Sequence, residues 1–327
     1  MLNPELKLNP KIFDKDVDQR PIRDGYGEAL LKLGEKNSEV VVLTADLKES
    51  TRVDKFAQKW PERFIECGVA EQNMAAIAGG LGVSGKIAFI SSYATFSPGK
   101  NWETIRTTII YNNSNVKIAG HHAGIVTGAD GATHQALEDI ALMRCLPNIR
   151  IISPCDAFEA EKATLYSVDV YGPFYLRFVR DKTPIITTKE TPFRFGKIEY
   201  FWKEENPKVA IFATGHLVYQ ALLAAKELKE EKDVKVCVLN VHTIKPLDEE
   251  RILEVISKVE GIVTVEDHQV IGGMGSAISE FLSKTKPTRI EFIGLQDTFG
   301  ESGNMLDLLK KYKLDKEAIK EAVKKLL

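Results

Sequence analysis

The 327-residue chain is 44% hydrophobic and 28% charged, a balance that fits a folded protein with room for two buried cores and argues against disorder or fibre. A net charge of −2 without long like-charge blocks gives no footprint for DNA, RNA or an acidic membrane. Cys67, Cys145, Cys155 and Cys237 form no CxxC pair, the polar first residues lack the apolar core of a secretion signal, and no run approaches the roughly eighteen apolar residues of a membrane span, so a cytoplasmic protein with reduced thiols is expected.

Residues 1–20, rich in Lys, Asp, Asn and Pro, read as an N-terminal arm. From residue 25 onward helix-period stretches alternate with short β-branched runs. Helices are expected at 26–36, 74–82 and 102–111, and strands at 40–44, 87–91 and 116–119. A helix follows over 136–146, then a strand at 150–153, a helix capped near Ser153 and Asp156, and a strand at 174–179. This alternation predicts an α/β fold with a parallel sheet over 21–188. A connector is expected over 189–208. A second, smaller α/β domain is expected over 209–327, with strands at 209–214, 234–241, 261–266 and 289–295, helices at 219–231, 249–259 and 276–284, and a charged amphipathic helix at 315–327. No internal repeat of fixed period is visible.

The loop 120–135, Gly-His-His-Ala-Gly-Ile-Val-Thr-Gly-Ala-Asp-Gly-Ala-Thr-His-Gln, holds three of the six histidines. It lies between an expected strand and an expected helix, where open parallel sheets bind ligands. Glycines there allow sharp turns, and His122, Asp130 and His134 offer hydrogen bonds and proton transfer near neutral pH; a solvated polar surface loop is the plain alternative. Three more segments follow expected strands: Thr44-Ala45-Asp46-Leu47-Lys48-Glu49-Ser50, Gly68-Val69-Ala70-Glu71-Gln72-Asn73-Met74 and Ser91-Ser92-Tyr93-Ala94-Thr95-Phe96.

In this order and spacing the four segments resemble the pyrimidine-binding and C-terminal domains of transketolases, which depend on thiamine diphosphate. The strings at 128–135 and 68–72 carry the resemblance most strongly, with weaker support from the Asp46 to Ser50 spacing and from Glu266-Asp267-His268 with Gly272-Gly273-Met274-Gly275. The resemblance makes Glu71 the carboxylate that hydrogen-bonds the aminopyrimidine and promotes deprotonation of the thiazolium carbon; by position alone it could be a helix-start carboxylate favoured by the dipole. Tyr93 and Phe96 correspond to aromatics that pack on the pyrimidine, with core packing as the alternative, and Asp46 falls among the cofactor-binding positions. His122, Asp130 and His134 correspond to substrate-hydroxyl and proton-transfer groups. Arg23, Ser50 and Arg180 correspond to sugar-phosphate contacts, although either arginine alone could be a surface ion pair and Arg177 could replace Arg180 after a small register shift. His121, His242 and His268 remain structural or undetermined, and Ser97-Pro98-Gly99 departs from many family members.

The family anchors the diphosphate through magnesium with a Gly-Asp-Gly motif, and this chain has none. The resemblance therefore implies the C-terminal subunit of a split transketolase, with the diphosphate and its magnesium held mainly by a separate N-terminal subunit and no metal site in this chain. It further implies a two-plus-two heterotetramer, ketol transfer between sugar phosphates, and an isolated chain that is inactive and binds the cofactor weakly. A subunit resembling deoxyxylulose-phosphate synthase, the beta subunit of a 2-oxoacid dehydrogenase, and a non-catalytic binding subunit are the alternatives. The first draws on Arg144-Cys145 and Pro147-Asn148; the second fits the Asp-Gly-x-Thr-His-Gln pattern less well.

Overall fold

Val40–Thr44, Ile87–Tyr93, Val116–His121 and Phe174–Arg177 bury nearly every side chain, the pattern of parallel strands covered on both faces. In the computed structural model, which describes residues 1–327 apart from the side chain of Lys232, they form the centre of a seven-stranded sheet. Its order is 243–245, 150–152, 174–177, 116–121, 87–93, 40–44 and 64–66, parallel except at the first pairing. A five-stranded sheet in the order 290–295, 261–269, 209–213, 236–240 and 199–202 makes the second layer system, with only its last strand antiparallel. The chain is therefore α/β with two large, mostly parallel sheets, as expected, beside one two-stranded ribbon.

Several elements differ from the sequence expectation for identifiable reasons. The arm is docked: Leu6, Leu8 and Ile12 are buried, Leu2 bridges to Trp202, and Gln19–Pro21 pairs with Lys182–Pro184. Scattered apolar residues among Lys and Asp show no periodicity, so this docking has no local signature. Within the expected connector, Glu199–Trp202 joins the second sheet as an edge strand. The helix expected at 102–111 starts as one turn, Trp102–Thr104, and continues in a wider winding over Ile105–Ile110. The helix expected at 136–146 shrinks to Asp139–Arg144 because residues 131–138 remain turn and bridge.

Two features weld the sheets together. Thr243–Lys245 leaves the second sheet after Val236–Asn240 and adds to the first beside Arg150–Ile152. Beneath this crossing, Asp156 caps the helix Ala157–Ser167 by accepting from Glu159 N (2.9 Å), and also accepts from Thr187 Oγ1 (2.8 Å). Glu159 accepts from Cys155 N (2.7 Å) and from Asn240 Nδ2 of the second sheet (2.8 Å).

Burial, reinforced by Asp156, raises the Glu159 pKa to about 7. A carboxyl whose folded pKa lies above its unfolded value stabilises the fold fully below the unfolded pKa, and that contribution disappears as pH rises through 7. The term is on the order of 3 kcal/mol at most. The melting temperature of the wild-type chain should therefore fall between about pH 4.5 and 7 and level off above, whereas Glu159→Gln should flatten that slope. Equal slopes for the two proteins would exclude Glu159 as the titrating group.

Candidate active site

Strand ends place the candidate residues. Val116–His121 runs into the glycine loop, and His122 takes a left-handed backbone (φ 54°) before Gly124 (φ 81°) turns the chain. A Cβ at Gly124 would lie 2.1 Å from Asp267 Oδ2, so only glycine admits the second domain's carboxylate here. Asp267, which is buried, accepts from Ile125 N (2.9 Å) and lies 3.0 Å from His216 Nε2. Although burial works against it, His216 and Arg177 hold the Asp267 pKa below its ordinary value. Gln135 Nε2 completes the clamp by donating to Ile125 O (3.0 Å) and to Glu301 O of the second unit (2.9 Å). The histidine loop is thus pinned by both domains.

Arg23, Ser50, Tyr93, His122, Asp130 and Arg180 line one open hollow of about 250 Å³, bringing all three phosphate candidates together with two of the catalytic candidates. Glu49, which lies in the 44–50 segment without a role of its own there, and Arg52, outside every motif, line it as well. Arg23 Nη1 donates to Ser50 O (2.8 Å) and to His122 Nε2 (3.2 Å). Since arginine only donates, His122 Nε2 is the acceptor and its proton sits on Nδ1, which is buried without a partner. Burial first, then Arg23 and Arg180, lower the His122 pKa to about 2, so the ring is neutral throughout the physiological range. In this state His122 orients Arg23.

His134 differs. Its Nδ1 lies 2.9 Å from Thr133 Oγ1, and no described residue hydrogen-bonds Nε2, leaving that nitrogen for a substrate. Tyr93 stacks on His122 with centroids 3.8 Å apart and on Phe96 at 5.9 Å and 15°, while Phe96 meets His134 edge-on at 5.5 Å. The two aromatics are half-buried, forming a shelf rather than core packing. Asp130 is exposed at the rim.

Glu71 opens the helix Glu71–Val83 and is 2% exposed. Lys100 Nζ donates to its Oε2 (2.6 Å), and Asn101 Nδ2 donates to its main-chain oxygen (3.0 Å). Neither Lys100 nor Asn101 had a signal in the sequence. Asp46 stands apart, exposed on a turn (φ 60°) outside the hollow, with its N–H donating to Glu66 Oε1 (2.7 Å).

Arg177 is not at the hollow. It is buried in a two-pronged pair with Asp139, Nε to Oδ2 at 2.8 Å and Nη2 to Oδ1 at 3.2 Å, and also donates to Asp267 O (2.7 Å). Glu266 and the glycine cluster have a structural explanation: Glu266 accepts from Met274 N (2.6 Å) and Gly275 N (2.9 Å) at the start of Met274–Thr285, where a Cβ on Gly273 would come within 2.2 Å of it. His268 is buried, its Nδ1 donating to Gln269 O (2.6 Å) while Nε2 accepts from Ala141 N (3.3 Å). A larger hollow of about 460 Å³ lies between the arm and the second unit, but its charges are spent on each other, as in Arg194–Glu199, Lys203–Glu5 and Lys258–Glu254. Among the described residues no group of three His, Cys, Asp or Glu side chains is placed to hold a metal ion, and no helix is long and apolar enough to cross a membrane.

A buried carboxylate at a helix start, an aromatic shelf and an arginine-rimmed hollow thus lie on loops that follow the parallel strands. Residues 18–185 match the transketolase pyrimidine-binding domain and residues 199–319 the transketolase C-terminal domain. The chain is 43% identical to a putative transketolase C-terminal section of Methanocaldococcus jannaschii, covering 92% of this chain and 95% of that one. It is 37% identical to a 6-deoxy-6-sulfo-D-fructose transketolase subunit of a Clostridium species, covering 91% of each. A split-gene transketolase solved as an inactive beta4 tetramer superposes with a TM-score of 0.86 at 40% identity, covering 94% of this chain and 98% of that one. The chain belongs to the transketolase family. Within it, the chain is a transketolase-type transferase subunit of the split kind, working with a partner subunit, and the family implies dependence on thiamine diphosphate.

Proposed function

We propose that this chain forms the pyrimidine-binding half of a transketolase that moves a two-carbon ketol unit from a ketose phosphate to an aldose phosphate. The observation that carries the reading is the buried Glu71 carboxylate, which no described residue hydrogen-bonds at Oε1 and whose partner Lys100 lies on the segment that also carries Phe96 of the aromatic shelf. That donor set suits an aminopyrimidine ring, which presents a basic nitrogen and a flat apolar face. Bound thiamine diphosphate supplies a carbon nucleophile and an electron sink for the ketol fragment. Glu71 shares a proton with the ring nitrogen, while Tyr93 and Phe96 keep water from its face. His134 exchanges a proton through Nε2 with a substrate hydroxyl, and Asp130 accepts a hydrogen bond from another. Arg23, oriented by His122, joins Ser50 and Arg180 in holding the phosphate. Asp46, outside the hollow, acts only toward a cofactor presented by the partner.

Magnesium and the diphosphate belong to the partner's side in this reading, which completes a two-plus-two heterotetramer in the cytoplasm. An all-beta assembly described as inactive, in a relative of the same extent, supports a chain that lacks half of its site. The Clostridium relative's name puts a sulfonate where a phosphate is expected, and the guanidinium groups of Arg23 and Arg180 suit either tetrahedral anion.

The test is ketol transfer from xylulose phosphate to ribose phosphate by the two subunits combined with thiamine diphosphate and magnesium. Pyruvate consumption instead would identify the synthase-like alternative. Arg180→Ala in that pair should raise KM for both sugar phosphates by about 10- to 100-fold with a smaller change in kcat, the loss expected for a charge-assisted contact. An unchanged KM would remove Arg180 from the phosphate site.

A further inference from the structure

Lys100 lies on the segment Thr95–Lys100, which follows the strand carrying Tyr93 and also carries Phe96, so one stretch of chain supplies both the aromatic shelf and a cation at Glu71. The next residue ties this stretch to the helix that Glu71 begins: Asn101 Nδ2 donates to Glu71 O at 3.0 Å and to Ser97 Oγ at 3.2 Å. Lys100 reaches only one carboxylate oxygen, Oε2, at 2.6 Å. The Glu71 side chain is 3% exposed and that of Lys100 44%, so the ammonium approaches a buried carboxylate from the solvent side.

We propose that Lys100 is a positioning residue that pins Oε2 of Glu71 and thereby presents Oε1 to the aminopyrimidine ring. This rests on the cofactor reading given above. A carboxylate free to rotate about its last torsion would present its acceptor in the ring direction only part of the time, and preorganisation of that kind governs the rate of a proton-sharing step more than the affinity for a ligand anchored elsewhere. Lys100 therefore separates two quantities: cofactor affinity, set largely by the diphosphate, and activation, set by the aim of Glu71.

The experiment uses the assembled two-subunit enzyme with thiamine diphosphate and magnesium, measuring cofactor affinity by calorimetry and proton–deuteron exchange at the thiazolium carbon by quenched NMR. Lys100→Met should slow exchange about tenfold while weakening affinity less than about threefold, a split that a general loosening of the fold would not give. Lys100→Arg, which keeps the cation, should restore exchange. The proposal is overturned if Lys100→Met exchanges at the wild-type rate, or if Lys100→Arg binds cofactor normally yet fails to restore exchange. Absence of exchange in the wild-type pair would instead bring down the cofactor reading, and the role of Lys100 with it.

Discussion

Glu71→Gln in the assembled enzyme should lower turnover by about 100- to 10,000-fold, the range expected for loss of a proton-sharing group, while the chain still folds. Glutamine matches glutamate in shape and can still hydrogen-bond the ring, but it cannot exchange a proton with it. The fold should survive because Glu71 starts its helix with Asn101 bonded to its main-chain oxygen, a contact that the substitution leaves in place. The partner left behind, Lys100, is 44% exposed and regains water. Steady-state rates and a melting curve on the same sample separate the two effects. Turnover within threefold of wild type would show that Glu71 is only a helix-start carboxylate.

Arg177→Met should have the opposite profile: large for stability, small for substrate binding. The guanidinium is the main counterion of Asp139, itself 1% exposed, and removing it leaves a buried carboxylate supported chiefly by the Tyr175 hydroxyl at 2.6 Å. Burial lowers the Arg177 pKa, but Asp139 outweighs it and the net shift is upward, so the guanidinium stays charged. Breaking a buried pair in this way costs about 3–5 kcal/mol, which for a chain of this size lowers the melting temperature by roughly 4–7 °C. The pair also supports the clamp on the histidine loop, because the same guanidinium holds Asp267 O at 2.7 Å. Thermal melts should show the drop, and replacing Asp139 by Leu in the same chain should recover part of it. A variant that melts normally but loses sugar-phosphate affinity would return Arg177 to the phosphate role that the sequence left open.

The parts of the fold that could be read in the sequence are those whose burial follows a local period. The strands at 40–44, 87–93, 116–121 and 209–213 are nearly continuous buried runs, and the tail helix Lys316–Leu326 shows its amphipathic repeat. What could not be read depends on partners distant in sequence. The arm finds Trp202, Glu199–Trp202 finds Val236–Asn240, and Thr243–Lys245 crosses to the other sheet, all in segments too short for a period.

The candidate site divides along the same line. His122, Asp130, His134 and Glu71 sit in strings dense enough with glycine and polar residues to stand out. Lys100, Asn101 and Arg52 reach the site only because the sheet gathers its loops at one end. The Glu266-Asp267-His268 string was visible, but its work is structural: Asp267 fills the space beside Gly124 and Glu266 that beside Gly273, contacts between segments that no spacing encodes.

A calorimetric titration with thiamine diphosphate and magnesium, on this chain alone and then with the N-terminal subunit added, is the most direct test of a site divided between two polypeptides. The account predicts weak or no uptake and no turnover by the chain alone, and tight uptake with ketol transfer once the two are combined. Tight, magnesium-dependent uptake accompanied by turnover in the chain alone would contradict it.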